Sequence, residues 1–247
     1  MKGAFIAFFL AAYTVCGPAL AALVAVEERF AEAARVYDEG AYSEAVEIYE
    51  QLVRDGFRSA ALFYNLGNAY YRQGAIGPAV LHLRQASYLS PRDRDIRHNL
   101  AFAIDEAHAV MNPLPFPIRS LRLLSLSEWI WVAVAAWWLT AFYTALALWP
   151  GQRRGWGATA TVLVIVLAIS LVGVFQWWHL RVKPEVVVMK GGQEALFAPL
   201  EDRSTAHFAL PEGSVVRVAA ESDGWYRVRV GDKSGWIRQT AVQRILP

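Results

Sequence analysis

The sequence predicts a multidomain membrane protein, with an α-helical array, two transmembrane helices and a small all-β domain following one another. Two long apolar runs, residues 129–149 and 157–178, contain no charged side chain. Each would span roughly 30 Å as a helix, which is the thickness of a bilayer's hydrocarbon core. Apolar residues before these runs recur at helical spacing, and short strand-like runs separated by turn residues follow them.

The composition excludes several classes of protein. The chain has 247 residues, of which 55% are hydrophobic, and a net charge of +2, so it is not a disordered chain and shows no sign of a nucleic-acid partner. Its single cysteine, Cys16, allows no intramolecular disulfide. We find no nucleophile motif, no metal-ligand spacing and no phosphate-binding loop. We therefore expect no enzymatic activity, no catalytic residue, no metal and no cofactor.

Residues 1–21 have the features of a secretory signal peptide. Lys2 is the basic start, residues 4–15 are an apolar stretch, and Ala19-Leu20-Ala21 is a small-x-small cleavage site. An uncleaved anchor and a lipoprotein attached at Cys16 are the alternatives. Export would place the helical domain, residues 22–112, outside the cytoplasm.

The helical domain contains a repeated pattern of two helices. Gly74 is suited to end a first helix in a left-handed conformation, and Pro78 to stand in the first turn of a second. This block resembles a tetratricopeptide repeat. A weaker copy precedes it by 34 residues, as the family's period requires, and a single helix follows it, so we predict about two and a half repeats. The matching signature positions are Phe63, Leu66, Gly67, Tyr70, Ala79, Leu83, Ala86 and Pro91.

The tetratricopeptide resemblance implies a concave groove that binds peptides or partner helices. Asn65 matches an asparagine that some family members use to grip a peptide carboxylate, but Phe30 and Ala34 stand where the basic residues of that clamp would be. A solvated face without a ligand is the alternative. The residues that would bind a partner in the groove are Tyr64, Asn65, Asn68, Tyr71 and Arg72.

A linker at residues 113–128 leads into the predicted transmembrane hairpin. The loop between the apolar runs, residues 150–156, allows only a tight antiparallel return, so both flanking domains lie on one side of the membrane. Arg153 and Arg154 in that loop fit a cytoplasmic position. We therefore predict a multi-pass protein of the bacterial inner (cytoplasmic) membrane with both domains extracytoplasmic. The alternative is a pair of buried core helices in a soluble protein. We expect interfacial positions for the tryptophans at the ends of the runs, which are Trp129, Trp131, Trp149, Trp156, Trp177 and Trp178.

Residues 184–247 carry four predicted strands, at residues 185–189, 214–219, 225–230 and 235–238. This segment resembles bacterial SH3-type (SH3b) domains through Leu210, Pro211, Gly213, Gly224, Trp225, Val228, Gly235 and Trp236. The resemblance implies binding of cell-wall peptides or protein partners. Core positions for the two tryptophans and a solvated face for the basic residues are the alternatives. The candidate binding residues are Trp225, Arg227, Arg229 and Trp236.

The whole arrangement resembles the BatE family of bacterial Bat aerotolerance operons, in which this order of domains occurs. The resemblance implies a non-enzymatic scaffold in a membrane complex with von Willebrand A-type proteins and a MoxR-type AAA ATPase. Its expected partners are membrane proteins and the lipid bilayer. One alternative is a cell-wall receptor that binds peptidoglycan through the SH3-like domain. Another is a cell-wall hydrolase or its subunit, for which the required Cys/His or His/Asp site is not apparent.

Overall fold

The computed structural model describes residues 24–111, 124–147, 156–182, 184–199 and 206–246. These residues form seven α-helices and one antiparallel sheet. The predicted signal peptide, residues 1–21, and the loop with Arg153 and Arg154 lie outside the described residues. So does most of the predicted linker.

Five helices form the domain before the apolar runs, and each packs on the next. Gly40 and Gly74 have positive φ angles of 84° and 82°, so both end a helix in the left-handed conformation predicted for Gly74. The side chains of Ser59 and Asp93 accept backbone hydrogen bonds and cap the helices that follow them. The helices are α1 (residues 24–38), α2 (Tyr42–Arg54), α3 (Ala60–Arg72), α4 (Ile76–Leu89) and α5 (Arg94–Glu106).

Small residues let α3 and α4 approach closely. A Cβ atom on Gly67 would lie 2.7 Å from Cγ of Leu83, well inside van der Waals contact. Ala79 and Ala86 on α4 are completely buried. The predicted close contact of these two helices is therefore present, whereas the assignment of the helices to tetratricopeptide repeats stays a prediction.

The two apolar runs form long helices that pack along each other. They are α6 (Leu126–Ala147) and α7 (Trp156–Val182), and both are long and apolar enough to cross a membrane. At one end of the pair the indole of Trp129 lies against Gly173, where a Cβ atom would come within 2.4 Å of the ring. The other large side chains of the pair, such as Trp138 and Phe175, are mostly exposed, as expected of helices that face lipid.

The tryptophans at the ends of these helices differ in exposure. Trp131 and Trp178 are exposed, whereas Trp149 and the side chain of Trp156 lie outside what the structure describes. Trp129 and Trp177 are each only 7% exposed, because they pack against protein. Trp177 lies edge-on to Tyr88 of α4, with 5.3 Å between the ring centroids.

The C-terminal domain is a seven-stranded sheet with the order β3-β2-β6-β5-β4-β1-β7, and every pairing is antiparallel. The four predicted strands correspond to β1, β4, β5 and β6. Strands β2, β3 and β7 have no counterpart among the predicted strands, because all three are short, and β2 and β3 contain glutamate or alanine, which are poor strand formers. The strands are β1 (Glu185–Val188), β2 (Gln193–Leu196), β3 (Ala206–Leu210), β4 (Val215–Ser222), β5 (Trp225–Val230), β6 (Lys233–Arg238) and β7 (Val242–Arg244).

Strand β1 is buried on both of its faces. Val186 and Val188 belong to the core of the sheet, together with Val216, Val218 and Val228. Their neighbour on the opposite face, Val187, belongs to a second apolar cluster that includes residues of α4, α5, α6 and α7. The sheet therefore packs on the helical domain through the outer face of β1.

Hydrogen bonds reinforce this contact between the two domains. The backbone N–H of Gly77 in α4 donates to Glu212 at 2.7 Å, and Gln85 Nε2 donates to the Ile245 carbonyl at 2.9 Å. The N–H of Val215 donates to the Val110 carbonyl at 2.8 Å. These bonds come from the start of α4, from its second half and from the segment after α5, so the contact between the domains extends along α4.

A buried ion pair lies at the centre of this interface. Glu185, only 8% exposed, accepts hydrogen bonds from Arg84 Nη2 at 2.8 Å and from the Tyr88 hydroxyl at 2.6 Å. Arg217 of the neighbouring strand lies 3.8 Å from the other carboxylate oxygen. Burial alone would lower the pKa of Arg84, but Tyr88 and Glu185 raise it above its ordinary value, so the guanidinium stays charged.

We predict that Glu185→Ala separates the C-terminal sheet from the helical domain. The change leaves Arg84 buried without its carboxylate, and removal of one partner of a buried ion pair costs about 3 to 5 kcal/mol. Hydrogen exchange of the full chain in detergent should then show faster exchange in β1 and α4.

The matched control is Glu221→Ala. Glu221 pairs with Arg244 at 3.2 Å, and about half of each side chain is exposed, so its loss should cost at most about 1 kcal/mol. Equal rates of hydrogen exchange in β1 and α4 of the two variants would contradict a structural role for Glu185.

Candidate functional site

The helical domain contains a cavity of about 420 Å³. Four of the five predicted groove residues line it, and five further residues from α1, α4 and α5 complete its wall. The lining residues are Tyr37, Tyr64, Asn68, Tyr71, Arg72, Leu83, His98, Asn99 and Phe102.

Helix α3 brings the predicted residues together. Tyr64, Asn68 and Tyr71 are spaced by four and three residues, so they share one face of the helix. The opposite face carries Leu62 and Leu66, which are buried in the core of the domain. The apolar pattern of α3 therefore turns its polar and aromatic side chains toward the cavity.

Hydrogen bonds fix the orientation of the amides in the cavity. Asn99 Nδ2 donates to the Tyr64 hydroxyl at 3.0 Å and to Asn68 Oδ1 at 2.9 Å. These bonds use one atom of each amide group. Within the described residues, Asn68 Nδ2 and Asn99 Oδ1 make no hydrogen bond, so one donor and one acceptor remain for a ligand.

Tyr71 and Arg72 contact opposite neighbours of α3. The Tyr71 hydroxyl donates to the carboxylate of Glu106 on α5, and this hydrogen bond raises the pKa of Tyr71. The guanidinium of Arg72 instead lies over the ring of Tyr42 on α2, 4.8 Å from its centroid. The cavity is consequently bordered by a carboxylate on one side and by a guanidinium on the other.

Asn65 lies apart from the other predicted groove residues. Its side chain is not part of the cavity wall, and its Nδ2 donates to the hydroxyl of Tyr49 at 3.3 Å. It therefore links α3 to α2. The unpredicted Asn99 stands 34 residues after Asn65, but Asn65 itself is not in the wall, so the repeat period gives no signal for Asn99 as a wall residue.

The predicted residues of the SH3-like domain share the outer face of β5 and β6. Trp225, Arg227 and Arg229 alternate with the inward-facing Tyr226 and Val228 along β5. In β6, Trp236 is the direct cross-strand partner of Arg227. All four predicted residues therefore belong to one surface.

Their exposure differs, however. Arg227 and Arg229 are exposed and Trp236 is half-buried. Trp225 is only 8% exposed, and the guanidinium of Arg238 covers its ring at 5.4 Å. The burial of Trp225 favours the alternative in which this tryptophan is a core residue. Trp236 is then the tryptophan of this face that a ligand can reach.

Among the residues that the structure describes, no group of three or more histidine, cysteine, aspartate or glutamate side chains could hold a metal ion.

Comparison with known proteins identifies one part of the chain. Residues 193–243 match the family model of the bacterial SH3 domain, which covers the sheet from β2 into β7 and leaves β1 outside. The predicted SH3-like nature of the C-terminal domain is thereby confirmed. No curated protein matches the chain.

Proposed function

We propose that this protein is a non-enzymatic, membrane-anchored scaffold whose cavity binds an extracytoplasmic segment of another membrane protein. The single observation that carries the proposal is the cavity itself, since its wall combines four aromatic side chains, two asparagines and an arginine. Tyrosine and arginine are favoured among the residues that dominate binding energy at protein interfaces.

The contacts between the domains support a scaffold. Glu185 joins α4 to β1 only three residues after the last residue of α7, Val182. Arg92 beside α5 forms an ion pair with Glu128 at the start of α6. A partner bound in the cavity would therefore be held at a defined place relative to both long helices and to the SH3-like sheet.

The resemblance to the BatE family supports a particular set of partners. Under this proposal the bound segment belongs to a membrane protein of a Bat-type aerotolerance or stress complex, such as a von Willebrand A-type protein associated with a MoxR-type ATPase. The order of the domains along the chain, which resembles that of the BatE family, supports this part of the proposal.

The same proposal places both domains outside the cytoplasm, on a hairpin through the bacterial inner membrane. The direct contact of the helical domain with the sheet supports a common side, and bacterial SH3 domains are typically extracellular. Two helices of membrane-spanning length between the domains are consistent with an even number of crossings.

Reporter fusions test this topology. A periplasmic reporter joined after residue 112 and another joined after residue 247 should both be active, because each would follow an exported domain. A cytoplasmic signal from either fusion would refute the proposed orientation.

We predict that Phe102→Ala abolishes capture of the partner while the protein still folds. Phe102 is 52% exposed and lines the cavity, so its truncation removes contact area without opening the core. An aromatic anchor at such an interface often contributes about 2 kcal/mol or more, roughly thirtyfold in affinity. Crosslinked co-purification of the full chain from native membranes measures the effect.

The matched control for this change is Leu89→Ala, because Leu89 is 45% exposed on α4 and does not line the cavity. Tyr64 and Tyr71 are poorer choices, since their hydroxyls hold α5 in place. If the folded Phe102→Ala protein still retrieves every protein that the Leu89→Ala protein retrieves, the cavity is not the binding surface.

The match to the bacterial SH3 domain favours a second candidate function, a receptor for peptidoglycan. In that case the full chain in detergent should sediment with purified cell-wall sacculi, and Trp236→Ala should weaken sedimentation because Trp236 is the accessible aromatic of the outer face. Failure of the unaltered protein to sediment would exclude this candidate.

A further inference from the structure

Arg72 supplies the guanidinium of the cavity wall. Arginines elsewhere in the helical domain, such as Arg29, Arg35 and Arg84, form ion pairs with carboxylates at 2.6 to 2.8 Å. Arg72 forms no ion pair within the part of the chain that the structure describes, and its guanidinium only stacks on Tyr42. The positive charge at this end of the cavity is therefore available to a ligand.

Stacking also prepares Arg72 for a ligand. An aromatic ring beneath the planar guanidinium holds it in one orientation, so less conformational freedom is lost when it binds a carboxylate. Its charge already acts on the cavity wall. Burial raises the pKa of Tyr37, and the charge of Arg72 opposes that increase. A carboxylate is the group that a planar guanidinium binds most specifically among protein side chains.

The side of the cavity next to α5 carries the opposite charge. There Glu106, which borders the cavity wall, accepts a hydrogen bond from the Tyr71 hydroxyl, and no ion pair of Glu106 occurs within the described residues. A ligand with an acidic side chain would be attracted to the Arg72 end and repelled from the Glu106 end. The difference gives a bound chain a preferred direction.

The middle of the cavity suits a peptide backbone and an apolar side chain. The donor Asn68 Nδ2 and the acceptor Asn99 Oδ1 can pair with the carbonyl and the N–H of an extended chain. Leu83, Phe102 and the ring of Tyr71 supply apolar wall. A volume of about 420 Å³ lies in the range of ligand pockets of about 300 to 1,000 Å³.

We propose that the cavity selects an extended peptide segment in which an acidic side chain, bound by Arg72, stands near an aromatic or aliphatic side chain placed between α3 and α5. This inference rests on the proposed function and specifies the chemistry of the occupant. The acidic side chain lies at the α2 end of the cavity, and the chain passes Asn68 and Asn99 toward Glu106.

The experiment uses the full chain in nanodiscs and a displayed library of random 12-residue peptides as the probe. Selections are run on the unaltered protein, on Arg72→Glu and on Arg94→Glu. Arg94→Glu makes the same change of charge on an exposed residue of the helical domain that is not part of the cavity wall. Circular dichroism and thermal melting show whether each variant folds.

Peptides selected on the unaltered protein and on Arg94→Glu should be enriched in aspartate or glutamate beside an apolar residue. Peptides selected on Arg72→Glu should instead be enriched in lysine or arginine. A synthetic peptide from the first selection should bind Arg72→Glu at least about tenfold more weakly, since a charge-assisted hydrogen bond becomes a repulsion. Arg72→Gln, which removes the charge without reversing it, should give an intermediate affinity.

The results separate two kinds of failure. One kind of result would overturn this inference and leave the proposed function standing. In it, peptide binding depends on Phe102, but the selected peptides show no charge preference, or those selected on Arg72→Glu are still enriched in acidic residues. Peptides that bind equally well after Phe102→Ala, or no enrichment at all, would overturn both.

Discussion

The buried carboxylate of Glu185 is the constraint on which the arrangement of the domains depends. A charge with 8% exposure must find its partners inside the protein, and the donors nearest to it are Arg84 and Tyr88 of α4. A buried ion pair stabilises a fold by little more than a well-packed apolar contact does. Its main consequence here is therefore that it fixes the position of β1 on α4. The observed placement of β1 against α4 gives Glu185 both of these donors. That placement brings Trp177 of α7 onto Tyr88 and the outer face of the sheet onto the helical domain.

The same contact bears on the stability of the helical domain. The sequence predicts about two and a half stacked repeats there, and such repeats bury their apolar faces on neighbours, so that about three are usually needed. Helix α4 is buried over most of its circumference, from Gly77 and Val80 to Ala86 and Tyr88, because α3, α5 and β1 surround it. An isolated pair of helices would leave one of these sides in water. The SH3-like sheet thus supplies the apolar surface that an additional repeat would supply in a longer array.

Much of this structure follows from local sequence patterns. Runs of uncharged residues predict both long helices, Gly74 and Pro78 predict the turn between α3 and α4, and helical spacing places Tyr64, Asn68, Tyr71 and Arg72 on one wall. Local patterns do not reveal contacts between distant segments. Glu185 lies 101 residues after Arg84, and nothing near either residue indicates the other. For the same reason Trp177 was predicted at a lipid interface and is packed on Tyr88, and Asn99 and Phe102 were not recognised as cavity residues.

The position of the cavity bears on the choice between a scaffold, which holds a bound segment in place, and a receptor that relays a movement from one domain to the other. Leu83 lines the cavity and is followed in α4 by Arg84, which binds Glu185. If the cavity binds a ligand, as we propose, that ligand and the SH3-like sheet would contact the same helix on adjacent residues. A relay requires an element with two alternative packed arrangements that the ligand can shift. The close contact of Gly67 with Leu83, and of Gly77 with the backbone of Met189, leaves α4 little room for a second arrangement. This packing favours a scaffold that presents a bound segment at a fixed distance from the long helices over a receptor that transmits a movement.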